Sequence, residues 1–440
     1  MTEALLGIDL GTSQVKALLC APDGTILGRG TAGYDITSPR DGWAESDPEQ
    51  WWRAVRTAVR QGAERAAPAE VSAIAITGQM HGVVLSKERT LVLRPAILWL
   101  DRRASAEASS YGRLSAAQLE SLANAPSPGT AGPVLRWLSV HEPDAYRSAR
   151  WQLQPKDWLR FRLTGEAATD PTDASATLLY DMARDEWAYD MAEALGLRAG
   201  LLPPILPSAS LAGELLSDVA AELGLRTGIP VATGCADTAA SLLAAQLPAA
   251  ELPGPEWALL TLGTGGQWVV PAGGWAGDGS GRTNVFRAVQ GWYRLAGAQN
   301  VGVTLDWVRR MLNATWDDVY SSAASAADAG SLGLDFAPWL VEERGKLGGG
   351  WTGVTLRHGR EDLLRAALTG VASLLRDRLA DLHAIGCIPE KVLLGGGSSQ
   401  SQPWRELLAA VVGLPLYPAP TPWLSARGAV LLAARAASRG

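Results

Sequence analysis

The sequence predicts an α/β protein of two similarly built domains that share one ligand cleft, and three observations carry that expectation. An apolar run, Leu5-Leu6-Gly7-Ile8-Asp9-Leu10, leads into Gly11-Thr12-Ser13 and at once into a second apolar run, Val15 to Cys20. That pattern is two antiparallel strands joined by a tight turn. Far downstream, Trp257-Ala258-Leu259-Leu260-Thr261-Leu262-Gly263-Thr264-Gly265-Gly266 repeats the design, so each half of the chain opens on the same kind of hairpin. Finally, 440 residues exceed what one core holds, which makes two domains the natural prior.

The turn residues point to chemistry. Gly11 lets the backbone come close to a ligand, and its N–H neighbours can face an anion. Thr12 and Ser13 add hydroxyl donors. Asp9 is suited to hold Mg²⁺, directly or through water, because a hard cation prefers oxygen ligands. Lys16 either reaches a phosphate or is solvated surface. One such turn alone reads as a buried hairpin with a polar end. Two of them, one per half, read as phosphate clasps with a nucleotide between the halves.

Composition excludes other classes. A chain that is 47% hydrophobic and 19% charged is that of a soluble globular protein. A net charge of −6 argues against nucleic-acid or membrane-surface partners. No apolar run is long enough to span a bilayer, and no export signal is visible, so a cytoplasmic location is expected. Cys20, Cys235 and Cys387 are too few and too scattered for a disulfide framework or a zinc site. Most of the 18 Trp belong to core or interdomain packing.

In chain order, Ala21-Pro22-Asp23-Gly24 predicts a hairpin turn and Thr25 to Arg29 a third strand. Asp47-Pro48 opens a helix whose apolar stripe is Trp51, Trp52, Val55 and Val59. Val71 to Ile76 reads as a buried parallel strand ending in Thr77-Gly78-Gln79-Met80-His81-Gly82. Ligands of open α/β sheets sit beyond the carboxyl ends of strands, so this loop is a candidate substrate contact. Trp99, Asp101 and Arg103 follow, the last two able to pair as ions. Leu153 to Glu166 is a helix with a glycine stop and reads as scaffold, with Lys156 and Asp157 as outlying candidates. Gly228 to Thr233 is a strand running into Gly234-Cys235-Ala236-Asp237-Thr238, where Asp237 sits at a helix N-terminus that stabilises a carboxylate. Leu247 to Pro255 is Pro-rich, lacks periodicity and reads as the domain boundary. Glu361 to His383 is a long amphipathic helix. Lys391 to Ser399 is a strand ending in a Gly-rich turn, and Ala426 to Ala437 is an apolar helix.

These segments resemble the FGGY carbohydrate kinases of the sugar kinase, actin and Hsp70 ATPase superfamily, and xylulokinases most closely. The resemblance implies two actin-like (ribonuclease H-like) α/β domains, residues 1–247 and 248–440, with the active site in the cleft between them. It implies transfer of the γ-phosphate of MgATP to a hydroxyl of a pentulose, D-xylulose first. The alternatives are another ketose or polyol, or a catalytically weak sugar- or nucleotide-binding regulator of the same fold. Gln79-Met80-His81-Gly82 is similar to the sugar-contacting motif of xylulokinases, and Trp99, Asp101 and Arg103 match a neighbouring family spacing. Asp237 corresponds to the catalytic carboxylate of a Gly-x-x-Asp motif. Thr238 replaces the Asn that xylulokinases carry there as a sugar contact. By the same resemblance Asp9 holds Mg²⁺, Gly11, Thr12, Ser13, Lys16, Gly263 and Thr264 meet phosphates, and Gly396, Gly397 and Ser398 carry the adenosine. The chain departs from the family at Thr130-Ala131-Gly132-Pro133, which lacks a Lys, and around Glu343-Arg344, where the surrounding loop is rebuilt. The expected partners are a sugar and ATP, with a homodimer as a candidate assembly.

Overall fold

The computed structural model describes residues 3–245, 256–324 and 333–438, so the Pro-rich stretch from Leu247 to Pro255 lies outside the described residues. β1 (Glu3–Leu10), β2 (Gln14–Cys20) and β3 (Ile26–Gly33) form an antiparallel meander. β3 runs past Arg29 because it pairs along all of β2, with Gln14 opposite Gly33. α1 (Pro48–Ala66) begins as its sequence dictates: Pro48 fills the first position, and the Asp47 side chain accepts from the Glu49 N–H at 3.0 Å. Its stripe of Trp51, Trp52, Val55 and Val59 is buried against the core of this half.

β4 (Glu70–Gly78) lies parallel to β1. There follow α2 (Pro155–Thr164), the short α3 (Pro171–Ala174), β5 (Leu211–Glu214), β6 (Pro230–Ala232), β7 (Cys235–Ala236) and α4 (Asp237–Ala245). The first sheet has the order β5-β6-β4-β1-β2-β3, with β7 beside the end of β4.

The second half contains β8 (Trp257–Leu262), β9 (Gly266–Ala272), β10 (Asn284–Arg287), β11 (Trp292–Ala298), α5 (Gly302–Met311) and α6 (Arg360–His383). It closes with β12 (Lys391–Gly395), α7 (Gln402–Val412), β13 (Leu416–Pro418) and α8 (Leu424–Ala437). The sheet order is β10-β11-β9-β8-β12-β13. β8, β9, β11, β12 and β13 therefore take the places of β1, β2, β3, β4 and β6, with the same parallel and antiparallel senses. The repeated hairpin is the start of a repeated sheet.

A third apolar layer joins the halves. It contains Ala239, Ala240 and Leu243 of α4, Ala429, Val430 and Ala433 of α8, and Leu259 and Val269 of the second sheet. Ser241 and Ser425 hydrogen-bond across it at 2.9 Å. Though α8 comes last in sequence, it packs on β1 and β4 of the first sheet. Trp404 is fully buried in the second core. Among the described residues no helix is long and apolar enough to cross a membrane.

Candidate active site

Three strand ends build the site. Asp9 on β1 stands opposite Thr77 on β4, and Thr77 stands opposite Cys235 on β7. The residues that follow β4 and β7, Gln79 and Asp237, thus emerge at the same sheet edge as Asp9. Gly234 makes this alignment possible. Its φ is 84°, and a Cβ there would meet the Ile76 carbonyl oxygen at 2.0 Å, so only glycine lets β7 lie so close to β4.

The Asp9 charge acts on Asp237. Asp9 is 3% exposed, and burial pushes its carboxyl up while Lys16, 3.6 Å away across the β1–β2 pair, pulls it down. Lys16 is thus an ion-pair partner of Asp9 rather than free surface. Burial, and next the Asp9 charge, push the Asp237 carboxyl up to about 7, against hydrogen bonds from Thr238 and the charge of Lys16. The Thr238 N–H donates to Asp237 Oδ1 at 2.6 Å. A carboxylate that titrates near neutrality is suited to take a proton.

Asp9 Oδ1 is buried without a partner. Among the described residues no group of three or more His, Cys, Asp or Glu is arranged to hold a metal by itself. One free carboxylate oxygen suits a hard cation that draws its other ligands from water and phosphates.

The loop Gln79 to Gly82 carries a second unmet demand. Gln79 is 1% exposed, and neither its side-chain oxygen nor its nitrogen has a partner. A buried primary amide left so is costly and points to a polar ligand. His81 sits at φ 69°, a left-handed conformation that non-glycine residues avoid. Its Nδ1 donates to the Ala176 carbonyl at 2.8 Å, and burial lowers its basicity, so the ring is neutral with Nε2 as acceptor. Met80 and His81 also meet the second half: the Tyr293 hydroxyl donates to Met80 Sδ at 3.7 Å, and Phe286 lies edge-on to the His81 ring. A Cβ on Gly82 would meet Pro155 Cγ at 2.8 Å, so this residue serves close packing.

Trp99 Nε1 donates to Thr12 Oγ1 at 3.2 Å, which ties the next loop to the first turn. Asp101 and Arg103 pair with each other, although Arg103 Nη1 is buried without a partner. Arg103 Nη2 donates to Asp101 Oδ2 at 2.7 Å, and Asp101 also accepts from the Ala44 N–H at 2.7 Å. The Arg103 guanidinium stacks on Trp43 at 3.6 Å and pairs with Glu45 at 2.6 Å. Both are walls bound into the protein rather than open polar groups.

In the first of the two repeated hairpin turns, Gly11 N donates to Gln14 O at 3.1 Å, and the Tyr34 hydroxyl donates to Gly11 O. Thr12 is half-buried and Ser13 exposed. In the second turn Gly263 and Thr264 are exposed, and Val303 N at the start of α5 donates to Thr264 O at 2.9 Å. The surviving Glu343 has a structural use: its Oε2 accepts from Gln299 N and Asn300 N and so fixes the approach to α5. Arg344 pairs with Asp381 at 2.7 Å. Gly396 and Gly397 follow β12, with Ser398 in a single 3₁₀ turn, Gly397–Gln400. A Cβ on Gly396 would lie 2.0 Å from the Leu262 carbonyl, which brings this turn against the end of β8.

Lys156 and Asp157 belong to a buried cluster behind the site. The Lys156 ammonium lies 2.6 Å from Asp157, 3.0 Å from Asp170 and 3.1 Å from Asp173, all fully buried. Arg160 joins them, donating to Asp157 and to the Thr233 carbonyl. Asp170 holds the Thr172 hydroxyl, and that oxygen accepts the Ala236 N–H at 2.8 Å. The cluster therefore grips the segment on both sides of Gly234, immediately before Asp237.

Sequence reasoning missed Tyr34, Gln267 and the use of Glu343. Gln267 on β9 accepts from the Thr238 hydroxyl at 3.1 Å, one residue from Asp237 and across the two halves. No motif marks it, because the contact exists only once the halves are assembled.

Models of the FGGY family of carbohydrate kinases match residues 4–244 with the N-terminal domain and residues 259–437 with the C-terminal domain. The xylulose kinase of Escherichia coli (strain K12) is 33% identical over 415 residues, 93% of this chain and 84% of that protein. The xylulose kinase of Klebsiella pneumoniae is 32% identical over 419 residues, 93% of this chain and 85% of that protein. Among solved structures, the xylulose kinase of Rhodospirillum rubrum superposes with a TM-score of 0.83 at 29% identity, covering 98% of this chain and 89% of that one.

Proposed function

The chain belongs to the FGGY family of carbohydrate kinases, and from that premise we propose that it moves the γ-phosphate of MgATP to a hydroxyl of D-xylulose. The observation that carries the reading is a pair of carboxylates at one sheet edge, Asp9 buried and Asp237 half-buried, with the Asp237 carboxyl pushed up to about 7. The choice of sugar rests on the Gln79-Met80-His81-Gly82 loop and on relatives named xylulose kinases. A regulator that binds without transfer is disfavoured by that pair and by kinase relatives along most of the chain.

Phosphoryl transfer is mostly positioning and charge stabilisation. In this reading Asp237 accepts the hydroxyl proton of the sugar as that oxygen forms its bond to the γ-phosphorus. The bond between the γ-phosphorus and the bridging oxygen breaks, and ADP leaves with the electron pair. Asp9 would hold Mg²⁺, which would supply positive charge to offset that of the phosphate oxygens. Gly11 to Ser13 and Gly263 to Thr264 clasp the phosphates from the two sides. Gly396, Gly397 and Ser398 support the adenosine. Gln79 and His81 Nε2 bind sugar hydroxyls, with Met80, Gly82 and Trp99 shaping the pocket and Asp101 and Arg103 stiffening its wall. The domain division at 247/248 is part of the same reading.

Two outcomes follow. Asp9→Ala weakens MgATP binding by at least about tenfold, the scale of a lost charged contact, with sugar affinity unchanged. Calorimetric titration of each ligand checks this, and lost sugar binding with intact MgATP binding contradicts it. Gln79→Leu raises the sugar KM by about tenfold or more yet raises Tm, because the variant no longer buries an unpaired amide. A lower Tm with unchanged KM would show that Gln79 serves the fold alone. The kinase reading itself is tested by sugar-dependent ADP release.

A further inference from the structure

The Thr238 hydroxyl has one proton and two acceptors within reach, Asp237 Oδ1 at 3.2 Å and Gln267 Oε1 at 3.1 Å. It donates either to the base or away from it. Thr238 is 3% exposed, so bulk water does not compete freely for that proton. Gln267 comes from β9 and Thr238 from α4, so the choice depends on the two halves lying together.

Resting on the reading of Asp237 as the base, we infer that Gln267 is a positioning residue: it draws the Thr238 hydroxyl away from Asp237 and leaves that carboxylate free to take the proton of the sugar. A donor aimed at a carboxylate stabilises its charged form and makes it a weaker base. Turning that donor toward Gln267 strengthens the base only when the second domain is in place. An open cleft then holds a weaker base, which limits transfer to water. The other groups that act on or sense Asp237 are Asp9 and Lys16 from the first hairpin, Cys235 from β7 and Tyr293 from β11. Burial pushes the Cys235 thiol and the Tyr293 hydroxyl well up, so both stay neutral.

The test compares Gln267→Leu and Gln267→Glu in the full chain, with kcat followed against pH at saturating MgATP and sugar. Leucine removes the competing acceptor and returns the proton to Asp237. Its expected kcat is about tenfold lower, with the acid limb displaced downward by roughly half to one pH unit, the scale of one hydrogen bond. Glutamate keeps an acceptor and adds a negative charge, so its acid limb moves upward. In a Thr238→Val background, which lacks the hydroxyl, Gln267→Leu has little further effect. An unmoved acid limb in both variants, or independent effects of Thr238→Val and Gln267→Leu, overturns the inference while wild-type turnover leaves the kinase reading intact. Absence of wild-type turnover on every sugar overturns that reading and this inference with it.

Discussion

Asp237→Asn lowers sugar-dependent turnover by at least about a hundredfold, the scale of a lost general base, while MgATP still binds. Asparagine keeps the shape and the neighbours but cannot take a proton. Stability moves in the opposite direction to activity. The folded Asp237 carboxyl sits at about 7, above its ordinary value of 3.8, so the folded state binds that proton more tightly than the unfolded one. Its stabilising contribution is complete below about 3.8 and is lost as pH rises through about 7. Above neutrality the wild type holds a half-buried, poorly solvated charge that the Asn variant does not, and the variant melts higher. Near-wild-type turnover in Asp237→Asn would remove the residue from the mechanism. A lower melting point would mean that the carboxylate is part of the scaffold.

Lys156→Met costs the fold on the order of 3–5 kcal/mol, the usual penalty for breaking a buried ionic group by removing one partner. Burial opposes the Lys156 charge, but Asp157, Asp170 and Asp173 outweigh it and hold the ammonium above its ordinary range. Without it, three buried carboxylates face Arg160 alone. Thermal unfolding should fall by roughly 3–10 °C, the lower end if the whole chain melts as one unit. Turnover of the remaining folded protein should fall too, because Arg160 and Thr172 fasten the segment that presents Asp237. A melting point within a degree of wild type would mean that the cluster adds nothing to stability.

The parts of this architecture legible in the sequence are those written locally. The hairpin at Asp9 and its copy at Gly263 each join apolar runs around a three-residue turn, and five strands of each sheet share one order because those hairpins head equivalent halves. The helix at Pro48 and the strand before Gln79 are likewise set by capping and by β-branched runs. Groups that act across the fold were not legible. Lys156 reads as one charge on a helix, yet its partners Asp170 and Asp173 lie beyond the helix end. Tyr34 looks like a strand-edge aromatic, but its hydroxyl holds the turn at Gly11. Gln267 is the one polar side chain of the strand Gly266–Ala272, and no motif marks what it meets across the halves. Asp101 and Arg103 show the limit from the other side. Their spacing and their mutual pairing are visible, but the hydrogen bond from the Ala44 N–H and the stack on Trp43 come from a loop more than fifty residues upstream.

The most direct test of the central claim is ADP release by the wild-type protein with MgATP and a panel of ketoses and polyols, with the phosphorylated sugar identified. The expected release depends on sugar, is strongest with D-xylulose among the pentuloses, and yields one sugar phosphate per ADP. Release that no sugar stimulates would contradict it.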